Sequence, residues 1–261
     1  MTDYRYPHEQ SILAVTLALV LGVIGLTATA TLCGSLMFVA IMLAAAYLFS
    51  AQHHEALVRQ AEPVTPQTMP GLVKLVELAG RRLGVSGVKT FVAPGRGLNA
   101  YAFGLSDPKV VVLYSALFRA LDEDEILFIV GHELGHVRLG HTWLNSLVGG
   151  MAGIPSPFAA AVILHVAFRW WNRACEYSAD RAGLLACDDL GKAISALVKI
   201  GGGGVTSRDA LAKIEAQDDT LGASLTEALS THPMIVKRIE ALRAWAGTEA
   251  YRRWRARGDI A

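Results

Sequence analysis

Three residues in one short run, His132, Glu133 and His136, have the types and spacing of a metal-dependent hydrolase site. On an α-helix, side chains four residues apart point the same way about one turn apart, so the two imidazoles can share one ligand. Two neutral imidazole nitrogens can hold zinc, and a carboxylate beside them can accept a proton from water. The spacing therefore predicts a zinc site. A helix that carries two incidental histidines is the alternative interpretation.

The residues around this run predict a buried helix. Residues 122–125 are all acidic and open an apolar segment that continues to Val137. Asp122 and Glu125 have the spacing of an N-capping box, and the acidic first turn complements the helix dipole. Because the segment is apolar around most of its circumference, its polar histidines would be costly to bury without a partner, and a metal ion provides one.

Two histidines leave a catalytic zinc short of a third protein ligand. His141 follows His136 by five residues, whereas the metzincin pattern requires a histidine at six, so its spacing argues against a ligand role. Glu176 is the better candidate, and Asp180, four residues later, lies on the same helix face. One of these carboxylates could bind the metal while the other accepts a hydrogen bond from a ligand histidine. Alternatively, both belong to a solvated acidic face that pairs with nearby arginines.

Four blocks of sequence occur in the order typical of peptidase family M48. They are residues 99–104, 132–136, 176–180 and 231–233, the last followed by Arg238. On these blocks the chain resembles the M48 metallopeptidases, the family that contains the heat-shock membrane proteases (HtpX) and the CAAX prenyl proteases (Ste24). The resemblance spans most of residues 70–245.

This resemblance implies roles for individual residues. The implied ligands, for one zinc ion per chain, are His132, His136 and Glu176. Glu133 would be the general base. His232 and Arg238 would line the active site and stabilise the tetrahedral oxyanion, which no other pattern in the sequence indicates. Asp180 is then left as the hydrogen-bond partner of a ligand histidine.

A substrate-binding strand is predicted upstream of the metal helix. Residues 88–93 and 109–113 read as strands, and the short apolar segment 100–104 between them suits an edge strand. An open edge can pair with the backbone of an extended peptide, with little dependence on its side chains. The residues expected to bind substrate in this way are Asn99, Ala100, Tyr101 and Ala102. An ordinary meander strand with no binding role is the alternative.

The N-terminal region has the composition of a membrane anchor. Hydrophobic residues make up 52% of the chain and charged residues 18%, and residues 12–30 and 32–50 contain no charge. Each stretch is about 19 residues long, close to the roughly 20 that a helix needs to cross the hydrocarbon core. We therefore predict a transmembrane helical hairpin over residues 1–50. A cleavable signal peptide that ends at Ala30 is the alternative.

The charges around the hairpin predict its orientation. Arg5 precedes it and basic residues from Arg59 onward follow it, whereas the turn contains none. The positive-inside rule then places both ends, and the active site, on the cytoplasmic side. For a relative of the heat-shock proteases this membrane is the bacterial inner membrane. The three cysteines are odd in number and suggest no disulfide framework.

Residues 144–168 form a third stretch that is uncharged apart from His165. A single membrane crossing there would put Glu176 on the opposite side of the bilayer from His132, although both are expected to bind one metal ion. The stretch therefore either doubles back as a shallow membrane-dipping hairpin or packs as a helical pair inside the catalytic domain.

Together these features predict an α+β fold, predominantly α, in which a zincin-like metallopeptidase domain with a small β-sheet spans residues 71–247. A linker over residues 51–70 joins this domain to the hairpin, and a basic tail over 248–261 follows it. The tail could touch anionic lipid headgroups, bind nucleic acid or end a solvated helix. Beside a membrane anchor we expect membrane lipids as partners and no nucleic acid.

The predicted activity is zinc-dependent endopeptidase cleavage of protein or peptide substrates close to the membrane. The resemblance implies a role in protein quality control. Processing of prenylated C-termini is the alternative within the family, although those relatives have more membrane spans than this chain can supply. A membrane scaffold that binds zinc without catalysis is the alternative outside the enzyme class.

Overall fold

The computed structural model describes residues 4–30, 34–104, 107–148, 159–201 and 235–258. The first helices are α1 (Glu9–Ala30), α2 (Gly34–Gln60), α3 (Pro70–Leu83), α4 (Leu117–Ala120) and α5 (Glu123–Leu139). The strands are β1 (Glu62–Pro63), β2 (Lys89–Ala93), β3 (Ala100–Phe103) and β4 (Val110–Tyr114). The later helices are α6 (His141–Val148), α7 (Ala159–Cys187), α8 (Leu190–Gly201), α9 (Ile235–Ala246) and α10 (Glu249–Gly258).

The strands form one mixed sheet in the order β1-β2-β4-β3. β2 and β4 are parallel, with Phe91 opposite Val112, and β3 is antiparallel to β4, with Tyr101 opposite Val112. The predicted mostly helical fold with a small sheet is confirmed, and the three predicted strands are present. β1 was not predicted because its two residues, Glu62 and Pro63, are too few to show an alternating pattern.

α5 is the buried helix that the sequence predicts. The Asp122 carboxylate accepts a hydrogen bond from the Glu125 N–H at 3.0 Å, and the Glu125 carboxylate accepts one from the Asp122 N–H at 2.8 Å, which completes the capping box. Every residue from Glu125 to His136 is buried. Gly140, at φ 78°, caps the end of the helix in the left-handed conformation that favours glycine.

Glycines let α5 and α7 pack with their backbones close together. A Cβ atom added at Gly131 would lie 2.2 Å from the Cβ of Ala186, and one added at Gly135 would lie 2.5 Å from the Cβ of Ala182. Neither contact is possible without a shift of one helix, because protein interiors are already close-packed. Since α5 carries the histidine pair and α7 carries Glu176, this contact determines how closely the predicted ligands approach one another.

α1 contains the one stretch of the described chain, Glu9–Leu26, that is long and apolar enough to cross a membrane. Near its N-terminal end, α1 contacts α6 and α7. Ile12 and Leu13 pack against the buried Leu144 of α6 and Trp171 of α7. The candidate anchor is therefore attached directly to the helix that carries Glu176.

The linker predicted over residues 51–70 needs correction. Residues 51–60 continue α2, because they contain no glycine or proline and include good helix formers. Pro63 lies in β1, and Pro70 begins α3 at a first-turn position, where its missing N–H costs nothing. The hairpin predicted over residues 1–50 corresponds to α1 and the first part of α2, but a pair of membrane spans there stays a prediction.

α6 and α7 lie on either side of residues 149–158, which are outside the described residues. The membrane-dipping hairpin predicted over residues 144–168 therefore stays a prediction. The basic tail predicted over residues 248–261 is mostly helical, as α10. Its Tyr251 is buried and donates a hydrogen bond to Asp188 at 3.2 Å.

Candidate metal centre and active site

Three side chains from α5 and α7 converge on one point. The Nε2 atoms of His132 and His136 lie 3.2 Å apart, and each lies 3.6 Å from one carboxylate oxygen of Glu176. The four-residue spacing aligns the two imidazoles on α5, and the glycine contact between the helices brings Glu176 opposite them. All three side chains belong to the buried interior.

These separations fit a tetrahedral zinc site. With Zn–N and Zn–O bonds of about 2.0–2.2 Å, two tetrahedral ligand atoms lie about 3.4 Å apart. The observed separations of 3.2 Å and 3.6 Å differ from that value by a few tenths of an ångström. Two imidazoles and one carboxylate are also a common donor set of catalytic zinc, which keeps its fourth position open. The residues present therefore fit the metal that the motif predicts.

The second nitrogen of His132 contacts a carboxylate. Asp180 Oδ1 lies 3.0 Å from His132 Nδ1. Because an ionised carboxylate only accepts hydrogen bonds, Nδ1 of His132 carries a proton, and Nε2 is the nitrogen that faces Glu176. The two carboxylates are thus placed for the two roles that the sequence left open. The alternative of a solvated acidic face is wrong, since Asp180 is 1% exposed and Glu176 is 9% exposed.

Arg238, on α9, joins the two carboxylates. Its Nε and Nη2 donate to the two oxygens of Asp180 at 2.8 Å and 2.6 Å, and its Nη1 lies 3.1 Å from Glu176 Oε2. The arginine is buried. The structure therefore places Arg238 at the site, where one guanidinium contacts two buried carboxylates and offsets part of their negative charge.

Burial and charge set the protonation of these groups. Burial lowers the pKa of His132, but the hydrogen bond to Asp180 and the charge of Glu176 outweigh it, so the pKa is raised. Burial and the neighbouring His132 hold the pKa of His136 well below its ordinary value. Burial raises the pKa of Asp180, but the Arg238 guanidinium outweighs it and lowers that pKa. His136 is therefore neutral, whereas the carboxylates around His132 favour a positive charge there.

His141 does not join the three converging ligands. Its Nδ1 lies 2.9 Å from His136 Nδ1, on the side of that ring away from Glu176, and its Nε2 lies 3.0 Å from Glu9 Oε1. This agrees with the spacing argument against a ligand role. The contact with Glu9 was not predicted. Its one signal in the sequence is that Glu9 is the single charged residue of α1.

The remaining predicted site residues lie on α5, at β3 or outside the described residues. Glu133 is buried on α5, directly after His132. Residues 100–102 belong to β3, which packs against α5 and ends the strand order of the sheet; Asn99 directly precedes this strand. His232 lies outside the described residues.

Comparison with known proteins agrees with this geometry. The profile of peptidase family M48 matches residues 67–246, well over half of the chain. The chain belongs to peptidase family M48. As an M48 metallopeptidase, it carries the family's predicted ligands on α5 and α7, within the matched residues.

Relatives of this M48 metallopeptidase differ in how much of the chain they match. The "Protease HtpX homolog" of Desulforapulum autotrophicum is 27% identical over 225 residues, covering 70% of this chain and 72% of that protein. The "CAAX prenyl protease 1 homolog" of Dictyostelium discoideum is 47% identical over 51 residues, covering 20% of this chain and 12% of that protein.

Among solved structures, that of Ste24p from S. mikatae is similar in fold. It has a TM-score of 0.50 at 17% identity, covering 89% of this chain. The chain spans 62% of Ste24p, less than two thirds of its length. At this identity the likeness shows the fold alone.

Proposed function

We propose that this M48 metallopeptidase is a membrane-anchored, zinc-dependent endopeptidase. The observation that carries the proposal is the convergence of His132, His136 and Glu176 at separations that fit zinc, with Glu133 buried on the same helix. Membership of the family supports the reaction class.

The residues around this point divide the catalytic work. When bound there, zinc supplies a Lewis acid that polarises the scissile carbonyl and lowers the pKa of a water molecule. Glu133 accepts a proton from the attacking water and delivers it to the leaving amine. Asp180 keeps the proton of His132 on Nδ1, so that the Nε2 lone pair remains available for binding.

Arg238 and His232 are assigned different tasks. Arg238 uses three of its nitrogen atoms to hold Asp180 and Glu176, so we assign it chiefly to fixing these carboxylates. The family resemblance implies that both residues stabilise the oxyanion. Because Arg238 already holds two carboxylates, we assign the developing oxyanion chiefly to His232. Both residues would then act during one step, one on the protein's carboxylates and the other on the substrate.

The edge strand β3 is the proposed platform for substrate. The Tyr114 N–H donates to the Asn99 carbonyl at 3.0 Å, which fixes the alternation of the β3–β4 ladder. The main-chain groups of Ala100 and Ala102 then face away from β4. In agreement, the Ala100 N–H donates to the Asn99 side chain instead of to β4. An extended peptide can pair with this edge through its own main chain, so unfolded segments of many sequences are suitable substrates.

The proposed location is the cytoplasmic face of a bacterial inner membrane. The apolar stretch of α1 supports an anchor, and the basic residues from Arg59 onward support the orientation. A protease held there, with an edge that binds main chain, is suited to removing unfolded or membrane-proximal proteins. We therefore propose protein quality control as its role.

A specific observation favours one alternative substrate class. The similarity to the "CAAX prenyl protease 1 homolog" supports prenyl-protein processing, but it covers 20% of this chain, against 70% for the "Protease HtpX homolog". We therefore rank general endopeptidase activity first. Cleavage of a prenylated peptide with no cleavage of casein would reverse this order.

The decisive experiment is Glu133→Gln in the full chain, purified in detergent. This change leaves three ligands in place and removes the base, so we expect about one zinc per chain and a loss of casein cleavage of about 10²–10⁴-fold. The matched control is Glu123→Gln, an exposed position on the same helix, which should retain both. Undiminished cleavage by Glu133→Gln would refute the mechanism, and zinc binding without cleavage by the parent chain would favour the scaffold.

A further inference from the structure

A line of three buried side chains leads away from the proposed metal centre, starting at Nδ1 of His136. His136 Nδ1 lies 2.9 Å from His141 Nδ1, and His141 Nε2 lies 3.0 Å from Glu9 Oε1. Their exposed fractions are 9%, 1% and 2% respectively. Glu9 is the first residue of α1, the candidate membrane helix, and is 132 residues from His141 in sequence.

Only one arrangement of protons makes this line compatible with a metal at His136. If Nε2 of His136 is to bind a cation, its proton must be on Nδ1 and must be donated to His141. Nδ1 of His141 is then the acceptor, which places the proton of His141 on Nε2, facing Glu9. An ionised carboxylate at the end of the line accepts that proton's hydrogen bond and so fixes the direction of both bonds.

The carboxylate of Glu9 is itself held firmly. Arg5 Nη1 donates to Glu9 Oε1 at 2.5 Å, and the Ser178 hydroxyl donates to Glu9 Oε2. The other end of the Arg5 guanidinium donates to the Leu139 carbonyl, at the end of α5, at 2.9 Å. A buried acid with a cationic partner and a hydroxyl donor is stabilised as the anion, which is the form that this line requires.

We propose that Glu9, acting through His141, is a positioning residue of the metal centre. It orients His136 as Asp180 orients His132, so that each ligand imidazole has a carboxylate that fixes its tautomer. The inference rests on the proposed zinc function. It makes the first turn of the membrane helix part of the machinery that holds the metal, although α1 contributes no ligand.

Alternatively, Glu9 and His141 could bind a second metal ion together with Cys175. Glu9, His141 and Cys175 offer ligand atoms within 4.8 Å of one another. However, both oxygens of Glu9 already accept hydrogen bonds from Arg5, Ser178 or His141. The geometry points to a hydrogen-bonded line, with a second metal as an outcome of the test.

The test measures zinc affinity of the full chain in detergent, by competition with a chromogenic chelator. Glu9→Leu and His141→Leu remove the acceptors, and each should raise the zinc dissociation constant by about 10–100-fold. Glu9→Gln and His141→Asn keep an oxygen that can accept the same hydrogen bond, and should recover most of the affinity. Glu123→Gln, exposed on α5, is the control that should not change it.

The double variant separates a connected line from two independent structural effects. If Glu9 acts only through His141, Glu9→Leu should add no further loss in the His141→Leu background, whereas independent effects would multiply. The absorption spectrum of the cobalt-substituted protein should shift in the leucine variants and return in the conservative ones. Thermal unfolding with chelator present checks the fold; if Glu9→Leu does not fold, the comparison of His141→Leu with His141→Asn decides the question.

Three results would overturn the inference. These are unchanged zinc affinity in both leucine variants, multiplicative losses in the double variant, and two zinc ions per chain of which one is lost in Cys175→Ala. A parent chain that binds no zinc at all is a different outcome, because it refutes the proposed function on which the inference rests.

Discussion

The guanidinium of Arg238 and the carboxylate of Asp180 form a bidentate ion pair in the interior, with N···O distances of 2.8 Å and 2.6 Å. They are 58 residues apart in sequence, so this pair ties α9 to α7 behind the proposed zinc ligands. Its geometry supplies two predictions, one on stability and one on pH.

Arg238→Met should destabilise the fold strongly. The substitution keeps much of the side-chain volume but leaves two buried carboxylates without their cation, which costs on the order of 3–5 kcal/mol of the free energy of unfolding. The measurement is unfolding of the detergent-purified chain with chelator present. Arg59→Met is the matched control, because the Arg59–Glu55 pair is exposed and should be worth less than about 1 kcal/mol. Equal losses in the two variants would contradict the role of the buried pair.

Acid should weaken the fold through Asp180. Arg238 lowers the pKa of Asp180 in the folded chain, whereas the unfolded value is about 3.9. The pair therefore contributes fully above about pH 5, and its contribution decreases as pH falls through 3.9 toward the lowered pKa, because the unfolded chain then binds the extra proton. Unfolding followed from pH 6 to pH 3 should show a smaller decline for Asp180→Asn. Parallel declines in the two chains would show that other carboxylates dominate.

Gly131→Ala should separate the two helices that hold the ligands. The added methyl group would meet the Cβ of Ala186 at 2.2 Å, so α5 and α7 must move apart at a cost of about 1–3 kcal/mol. Zinc affinity should fall as well, because His132 and Glu176 lie on opposite sides of this contact. The control is Gly71→Ala, where an added Cβ meets nothing within 4 Å. Retention of the parent's zinc affinity and stability would mean that the helices can adjust cheaply.

Ala102→Pro tests the open edge of β3. The main-chain N–H of Ala102 faces away from β4, so proline removes a donor from the substrate side and leaves the sheet hydrogen bonds intact. We expect kcat/KM for an unfolded protein substrate to fall about 10-fold, as for one lost hydrogen bond, with zinc content unchanged. Ala102→Ser keeps the N–H and is the control. An unaltered kcat/KM in the proline variant would favour the ordinary meander strand.

Local patterns predicted the parts of the site that depend on neighbours in sequence. The pair of His132 and His136 needs only helical spacing, and the capping box of Asp122 and Glu125 needs only a spacing of three residues, so both could be predicted. The short strand β3 was predicted from its length and turn residues. These features follow from the periodicity of helix and strand, which one segment carries by itself.

Contacts between distant segments could not be derived in this way. The family resemblance put Arg238 at the site, but its attachment to Asp180 required the structure. The contact of His141 with Glu9 joins segments 132 residues apart, and no periodic pattern relates them. The close approach of α5 and α7 could not be predicted either. A glycine within a helix is compatible with close packing, but the sequence does not show which helix packs against it.

The polypeptide before α1 is fastened to the catalytic helices by its own backbone. Arg181 donates to the Arg5 carbonyl at 2.7 Å, and the Tyr6 N–H donates to Ser178 at 2.9 Å. A fragment trimmed to residues 67–246, the portion that the family profile covers, would lack these two hydrogen bonds and Glu9. Recombinant work that keeps the N-terminus and carries its purification tag at the other end would preserve both.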